Sequence, residues 1–361
     1  MMAKFPNLLI NFIILSIAII FSLLFIELIL RVIDYPPYDY SPYMSCQETG
    51  FKLAPNIHQR FINPEFDTIV ETNSLGLRDD EVTAKKGIRV LSLGDSFTFG
   101  SGVNRGEMFV DILEKKLGVE IINSGVPGFE IIHYLRYYKT SGYKLKPDLV
   151  VCVLFLGNDL SGNLKWKEEG GRLVSKEEKN LILDPVKFKI KTIIKILIRA
   201  MKLKLSLLKE CMPYQSIYPE YLGLCRKELD ESSLYTYKIS EKMIQELADS
   251  VKASGADFFV VMVSDSTAVE YDVARRYKNS IAHFDDLYDL YKPEKELGGY
   301  FASAGIEYVN LVGPMREFYS RSQTRLYYPI DGHLTKEGNV YVAEFLSPVI
   351  KNKIKNKHIF K

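Results

Sequence analysis

From Leu8 to Leu30 the chain is almost continuously apolar, broken only by Asn11, Ser16, Ser22 and Glu27. Built as a helix, that run reaches roughly 35 Å, enough to cross a bilayer. The residues at and beyond its end, Glu27-Leu28-Ile29-Leu30-Arg31-Val32-Ile33-Asp34, contain no small-residue cleavage site, so the run predicts an uncleaved transmembrane anchor. Lys4 and the free amine precede it, whereas Asp34 and Asp39 follow Arg31, so the positive-inside rule puts the N-terminus in the cytoplasm and the rest of the chain outside it. Glu27 lies one turn before Arg31, which predicts a pair at the end of the span rather than an intramembrane function.

Beyond the anchor, Tyr35-Pro36-Pro37-Tyr38 and further prolines at 42, 55 and 64 resist regular helix and predict an extended stalk or covering segment. From residue 88 short apolar runs alternate with helical periodicity. The runs predict strands near 88–93, 119–123, 148–155, 256–263 and 306–311, with helices between them. Alternation of this kind predicts an α/β domain with a parallel sheet covered by helices on both faces. Leu149-Val150-Val151-Cys152-Val153-Leu154-Phe155 and Phe258-Phe259-Val260-Val261-Met262-Val263 show no polar alternation, as expected of strands buried on both faces, and Cys152 reads as a core residue. A stretch from about 163 to 235 breaks the rhythm and reads as an insertion within one domain. Inside it, Lys187, Lys189, Lys191, Lys195, Arg199, Lys202, Lys204 and Lys209 are interleaved with apolar residues without one acidic residue between them. That pattern fits an interfacial helix on a membrane and equally a solvated helix packed on the domain.

Composition narrows the function classes. The 361 residues are 47% hydrophobic and 25% charged, which is ordinary globular usage and excludes a wholly disordered chain. Lys plus Arg (47) against Asp plus Glu (45) leaves a net +2, too balanced for a surface built to hold nucleic acid. The four cysteines, Cys46, Cys152, Cys211 and Cys225, form no CxxC pair or Cys/His cluster, so no metal site is expected. Outside the cytoplasm, Cys211 and Cys225 are spaced to close a disulfide across the insertion.

Candidate chemistry lies at strand ends. Ile88–Leu93 runs into Gly94-Asp95-Ser96-Phe97-Thr98-Phe99-Gly100, which puts Ser96 just past the C-terminal end of a strand, where open α/β sheets place their ligands. A helix starting there would add positive potential at the hydroxyl. Serine needs a base, and among the histidines at 58, 133, 283, 333 and 358 the candidate is His333, with a carboxylate to orient it in Asp331-Gly332-His333. Asp95 and Asp159 sit in tight turns, where an aspartate commonly caps local amides, and read as structural.

Gly94-Asp95-Ser96, Asn123-Ser124-Gly125-Val126-Pro127-Gly128, Gly157-Asn158-Asp159 and Asp331/His333 resemble, in order, the four blocks of the SGNH (GDSL) hydrolases, over about residues 70 to 350. The resemblance implies a flavodoxin-like three-layer α/β/α sandwich with a five-stranded parallel sheet. It also implies Ser96 as nucleophile, Ser96, Gly128 and Asn158 as the oxyanion hole, and Asp331 and His333 as the rest of a triad. The common family spacing is Asp-x-x-His; here it is Asp-x-His, a form similar to that of some membrane-linked members acting on exopolysaccharides. The segment Thr72–Arg78 also resembles one preceding the first block in anchored members, with Arg78 a candidate substrate contact.

On this reading the chain divides into a transmembrane anchor at 1–33, a stalk or cover at 34–70, the hydrolase domain at 71–352 with its insertion, and a basic tail at 353–361. The expected activity is hydrolysis of O-acyl esters on a carbohydrate or lipid through an acyl-serine, with no cofactor, no metal and no nucleic-acid partner. The alternatives are an O-acyltransferase that modifies a cell-surface or exported polysaccharide with the same triad, and a non-catalytic binding or scaffold protein of the envelope.

Overall fold

The computed structural model describes residues 5–32, 43–160, 162, 166–169, 172–175, 190, 193, 194, 197, 198, 201, 204 and 219–358. Its first element is the helix α1, Phe5–Val32. Phe12 and Phe21 on it are 67% and 70% exposed, so α1 is no core helix of the domain, and by length and composition it can cross a membrane. At its end Arg31 Nε donates to Glu27 Oε1 at 2.8 Å, the expected pair, and the Ile190 amide donates to Glu27 Oε2 at 3.0 Å.

The stretch 43–71 is folded rather than extended. Two antiparallel hairpins, β1 (Tyr43–Cys46) with β2 (Gly50–Leu53) and β3 (His58–Ile62) with β4 (Asp67–Glu71), occupy most of it. Leu53 and Val70 from these hairpins are buried in the main core, so the segment covers the domain instead of standing off from it.

The central sheet is parallel, with strands β5 (Arg89–Gly94), β6 (Glu120–Gly125), β7 (Leu149–Phe155), β10 (Asp257–Val263) and β11 (Tyr308–Asn310). A small hairpin, β8 (Trp166–Glu169) with β9 (Arg172–Ser175), lies outside it. The spatial order β11-β10-β7-β5-β6 is the flavodoxin-like 2-1-3-4-5 arrangement. The chain steps from β5 to β6 in one direction, then returns past β5 to β7 and onward. With right-handed crossovers, that reversal puts the connecting helices on opposite faces. On one face α3 (Phe109–Leu117) packs against the C-terminal helix α8 (Lys336–His358); on the other, α4 (Ile131–Thr140) packs against α5 (Glu231–Ala253), which also touches α6 (Lys292–Ala304), and α7 (Val312–Ser322) follows β11. β5, β7 and β10 are buried along almost their whole length, including Cys152, as their unbroken apolar runs predict.

Two boundaries and one pairing differ from the sequence reading. The core resumes before 235: Tyr221, Leu224 and Cys225 are buried under α5, whose own first residue is Glu231. Basic residues after 352 continue α8 as far as His358 rather than forming a separate tail. Cys225 is a free, buried thiol and not half of a bridge, and Cys211 lies outside the described residues, as does most of the basic segment 187–209.

Candidate active site

β5 ends at Gly94, and the chain turns through Asp95 into α2 (Ser96–Phe99), a single helical turn. Asp95 caps that turn by accepting the Phe97 amide at 2.9 Å. Because α2 is so short, the sequence-based expectation of a helix dipole at Ser96 reduces to the few free amides of one turn. Ser96 is 8% exposed at the sheet's C-terminal edge, beside the point where the strand order reverses.

Asp331 and His333 come from the loop between the isolated bridge partners Tyr327 and Leu334, just before α8. The loop closes on itself: the Tyr328 amide donates to the His333 carbonyl at 2.8 Å and the Gly332 amide to the Tyr328 carbonyl at 2.9 Å. Gly332 sits at φ 85°, a left-handed conformation that costs glycine little and lets the Asp331 and His333 side chains meet across one residue. His333 Nδ1 lies 2.5 Å from Asp331 Oδ1, and His333 Nε2 lies 2.8 Å from Ser96 Oγ. With the Nδ1 proton donated to Asp331, Nε2 is left to accept from the serine hydroxyl. Phe97 packs its ring 5.4 Å from the imidazole and 4.1 Å from Phe155, fixing the floor on which His333 rests.

Gly128 and Asn158 stand beyond the C-terminal ends of β6 and β7, the two neighbours of β5. Gly128 is exposed at φ 83°, and the nearest atom to a side chain there would be Phe51 Cζ at 3.8 Å, so this backbone is open to an approaching group. Asn158 lies in the turn after β7, anchored by Asp159, whose Oδ2 accepts the Phe155 amide at 2.7 Å and the Tyr134 hydroxyl at 2.9 Å. Thus Ser96, His333 and Asp331 form one hydrogen-bonded chain, while Gly128 and Asn158 occupy the adjacent strand ends.

The electrostatics follow from burial and the carboxylates. Burial alone disfavours the His333 cation, but the Asp331 hydrogen bond and the charges of Asp331 and Asp95 outweigh it and hold the imidazole above its usual range. Burial raises Asp95 to about 6, and burial with the neighbouring Asp95 charge raises Asp159 well above the carboxylate range. Both act as caps on the two loops, as their turn positions predict.

Arg78 does not face this site. It is fully buried, with Nη1 donating to the carbonyls of Phe99 (3.1 Å) and Gly100 (2.7 Å) and Nη2 to those of Ile69 (3.1 Å) and Val103 (2.7 Å). It pins the back of the turn that carries Ser96, and the bonds it makes there are to backbone carbonyls. Glu65, which no sequence pattern marks, accepts the amides of Ile330 at 2.8 Å and Asp331 at 2.7 Å. Only folding brings it to a loop 266 residues away. No group of His, Cys, Asp and Glu suited to a metal ion occurs among the described residues.

Residues 90–346 match the family model described as GDSL-like Lipase/Acylhydrolase. No curated protein sequence matches the chain. Similar solved structures include TesA, at 12% identity over 73% of this chain and 98% of that chain, TM-score 0.40. An acetyl xylan esterase, AlAXEase, is similar at 13% identity over 73% of this chain and 100% of that one, TM-score 0.40. The lipase/acylhydrolase from Enterococcus faecalis is similar at 13% identity over 74% of this chain and 97% of that one, TM-score 0.39.

Proposed function

Because the chain belongs to the GDSL-like lipase and acylhydrolase family, we propose that it is a membrane-anchored serine esterase that removes O-acyl groups from a carbohydrate or lipid outside the cytoplasm. The observation that carries the reading is the continuous hydrogen-bonded path from Ser96 Oγ through the His333 imidazole to Asp331.

Ser96 Oγ attacks the ester carbonyl as His333 Nε2 takes its proton, and Asp331 holds the ring and stabilises the imidazolium. The oxyanion then forms between the Ser96 amide, the Gly128 amide and the Asn158 side-chain amide, offered by three adjacent strand ends. Collapse breaks the bond to the alcohol oxygen, which leaves with the proton from His333 and yields acyl-Ser96. Water, deprotonated by His333, repeats the sequence and releases the free acid. No cofactor enters these steps.

The anchor reading rests on the length, apolarity and outward-facing side chains of α1. The domain division is supported by the hairpins of 43–71 covering the core and by the family match beginning at residue 90. For the basic segment 187–209 a membrane-surface role is supported at its described residues, where the Ile190 amide bonds Glu27 at the end of α1 and Ile194, Leu197, Ile198 and Met201 are exposed.

The test incubates the full-length chain in detergent with an activated acyl ester, with and without an oligosaccharide acceptor, and resolves the products by mass. Release of free acid at a rate indifferent to acceptor, abolished by Ser96→Ala, is the expected outcome. Acylated sugar in place of acid would make the protein an O-acyltransferase on an envelope polysaccharide. Absence of turnover with every ester would leave a binding or scaffold role.

A further inference from the structure

We propose that Glu65, at the tip of the β3–β4 hairpin, is a positioning residue for the catalytic carboxylate Asp331, and that the Asp-x-His spacing works in this chain because of it. The proposal rests on the triad reading above. It extends that site to a hairpin outside residues 90–346, the part of the chain matched by the family model.

The case starts from where the amides of the Asp331 loop go. Of the amides from Tyr328 to His333, those of Tyr328 and Gly332 are bonded inside the loop. Residue 329 is a proline and has no amide hydrogen. The amides of Ile330 and Asp331 point away from the loop, and both end on the one Glu65 carboxylate, at 2.8 and 2.7 Å. Two charge-assisted bonds from consecutive peptide groups fix both the position and the rotation of the backbone that carries the Asp331 side chain.

Asp331 needs that support. With one residue between the acid and the base, the loop must double back at Gly332, at φ 85°, to bring Oδ1 onto Nδ1. Glycine there permits the conformation but does not enforce it. Enforcement comes from Glu65, which is itself held. The Asn63 Oδ1 accepts the Glu65 amide at 2.8 Å and the Phe66 amide at 2.9 Å, closing the turn between Ile62 and Asp67, and the Phe66 ring lies 5.2 Å from the Tyr328 ring of the catalytic loop. Tyr328 in turn bonds the Gly102 carbonyl at 2.9 Å, behind the nucleophile turn. The hairpin thus docks on the loop through one aromatic contact and one carboxylate. The groups facing His333 itself are Asp331 and Asp95, so Glu65 acts on the base through Asp331.

The experiment measures kcat, KM and the pH profile with a p-nitrophenyl ester on the full-length chain in detergent, for Glu65→Ala, Glu65→Gln, Asp331→Ala and the Glu65→Ala/Asp331→Ala double variant. A displacement of the order of an ångström in a catalytic group costs about 10²-fold in rate. Glu65→Ala is therefore expected to lose about that much in kcat, with KM little changed and the acid limb of the profile moved to lower pH. Glu65→Gln keeps one acceptor oxygen and should lose less. In the double variant Glu65→Ala should cost nothing beyond Asp331→Ala, because both act through the same group. If Glu65→Ala does not fold, the partial kcat loss of Glu65→Gln and its own double with Asp331→Ala carry the same comparison. Wild-type kcat and pH profile in a folded Glu65 variant, or full additivity with Asp331→Ala, overturn the proposal while leaving the triad intact. Unimpaired turnover by Asp331→Ala would instead overturn the triad reading, and the brace with it.

Discussion

His333 is held between the Asp331 carboxylate on Nδ1 and the Ser96 hydroxyl on Nε2, and its raised pKa has two measurable consequences. As a base it must be neutral, so the acid limb of kcat/KM should lie above the ordinary imidazole value of about 6.5. Asp331→Asn removes the larger of its causes and leaves the Asp95 charge, so it should move that limb to lower pH and lower kcat, read from a pH series. The same shift bears on stability. A base whose folded pKa is raised contributes stability that is complete below its unfolded pKa and fades as pH rises through the folded one. The melting temperature of Asp331→Asn should therefore fall furthest below wild type on the acid side of that window. Asn158→Ala should cost about 10² to 10³ in kcat if its amide meets the oxyanion, whereas an effect confined to KM would make it a substrate contact. Ser96, Asp331 and His333 were legible because each lies in a short motif. Glu65 was not, since its partners are reached only through the fold.

The β5–α2 turn depends on an element from outside the sheet. Arg78, in the loop after β4, ties the carbonyls of Phe99, Gly100 and Val103 together, and burial lowers its pKa to about 10 while leaving it charged at neutral pH. Arg78→Ala strands several buried carbonyls and should destabilise the fold by about 3 kcal/mol, measured by denaturant titration. A loss of ester affinity with unchanged stability would return Arg78 to the substrate site. The strands of the sheet were readable because a run such as Leu149–Phe155 is apolar on both faces and so carries its burial in its composition. The hairpins of residues 43–71 were not. Their prolines read as an extended stalk or covering segment, and burial patterns such as that of Gly50–Leu53, with Leu53 alone deep in the core, give a four-residue strand too little alternation to register. Likewise Tyr221 and Cys225 look like insertion until α5 closes over them.

The whole molecule joins an apolar helix to a hydrolase domain through a segment that also braces the catalytic loop. Removal of residues 1–33 takes away no residue of the site, so the truncated chain should be soluble and retain ester turnover, assayed after purification without detergent. Loss of activity there would mean that α1 supports the site as well as anchoring it. If the basic segment lies on the membrane, the same truncated chain should bind anionic vesicles with an affinity that falls as salt rises, and should ignore neutral ones. Hydrolysis and transfer share every catalytic group, so the account stands first on the chemistry of Ser96. That is tested by treating the chain with a fluorophosphonate and mapping the adduct by mass. One phosphonyl group on the peptide containing Ser96, absent from His333→Ala, is the expected result; labelling elsewhere, or labelling of Ser96 at the same rate in His333→Ala, would contradict it.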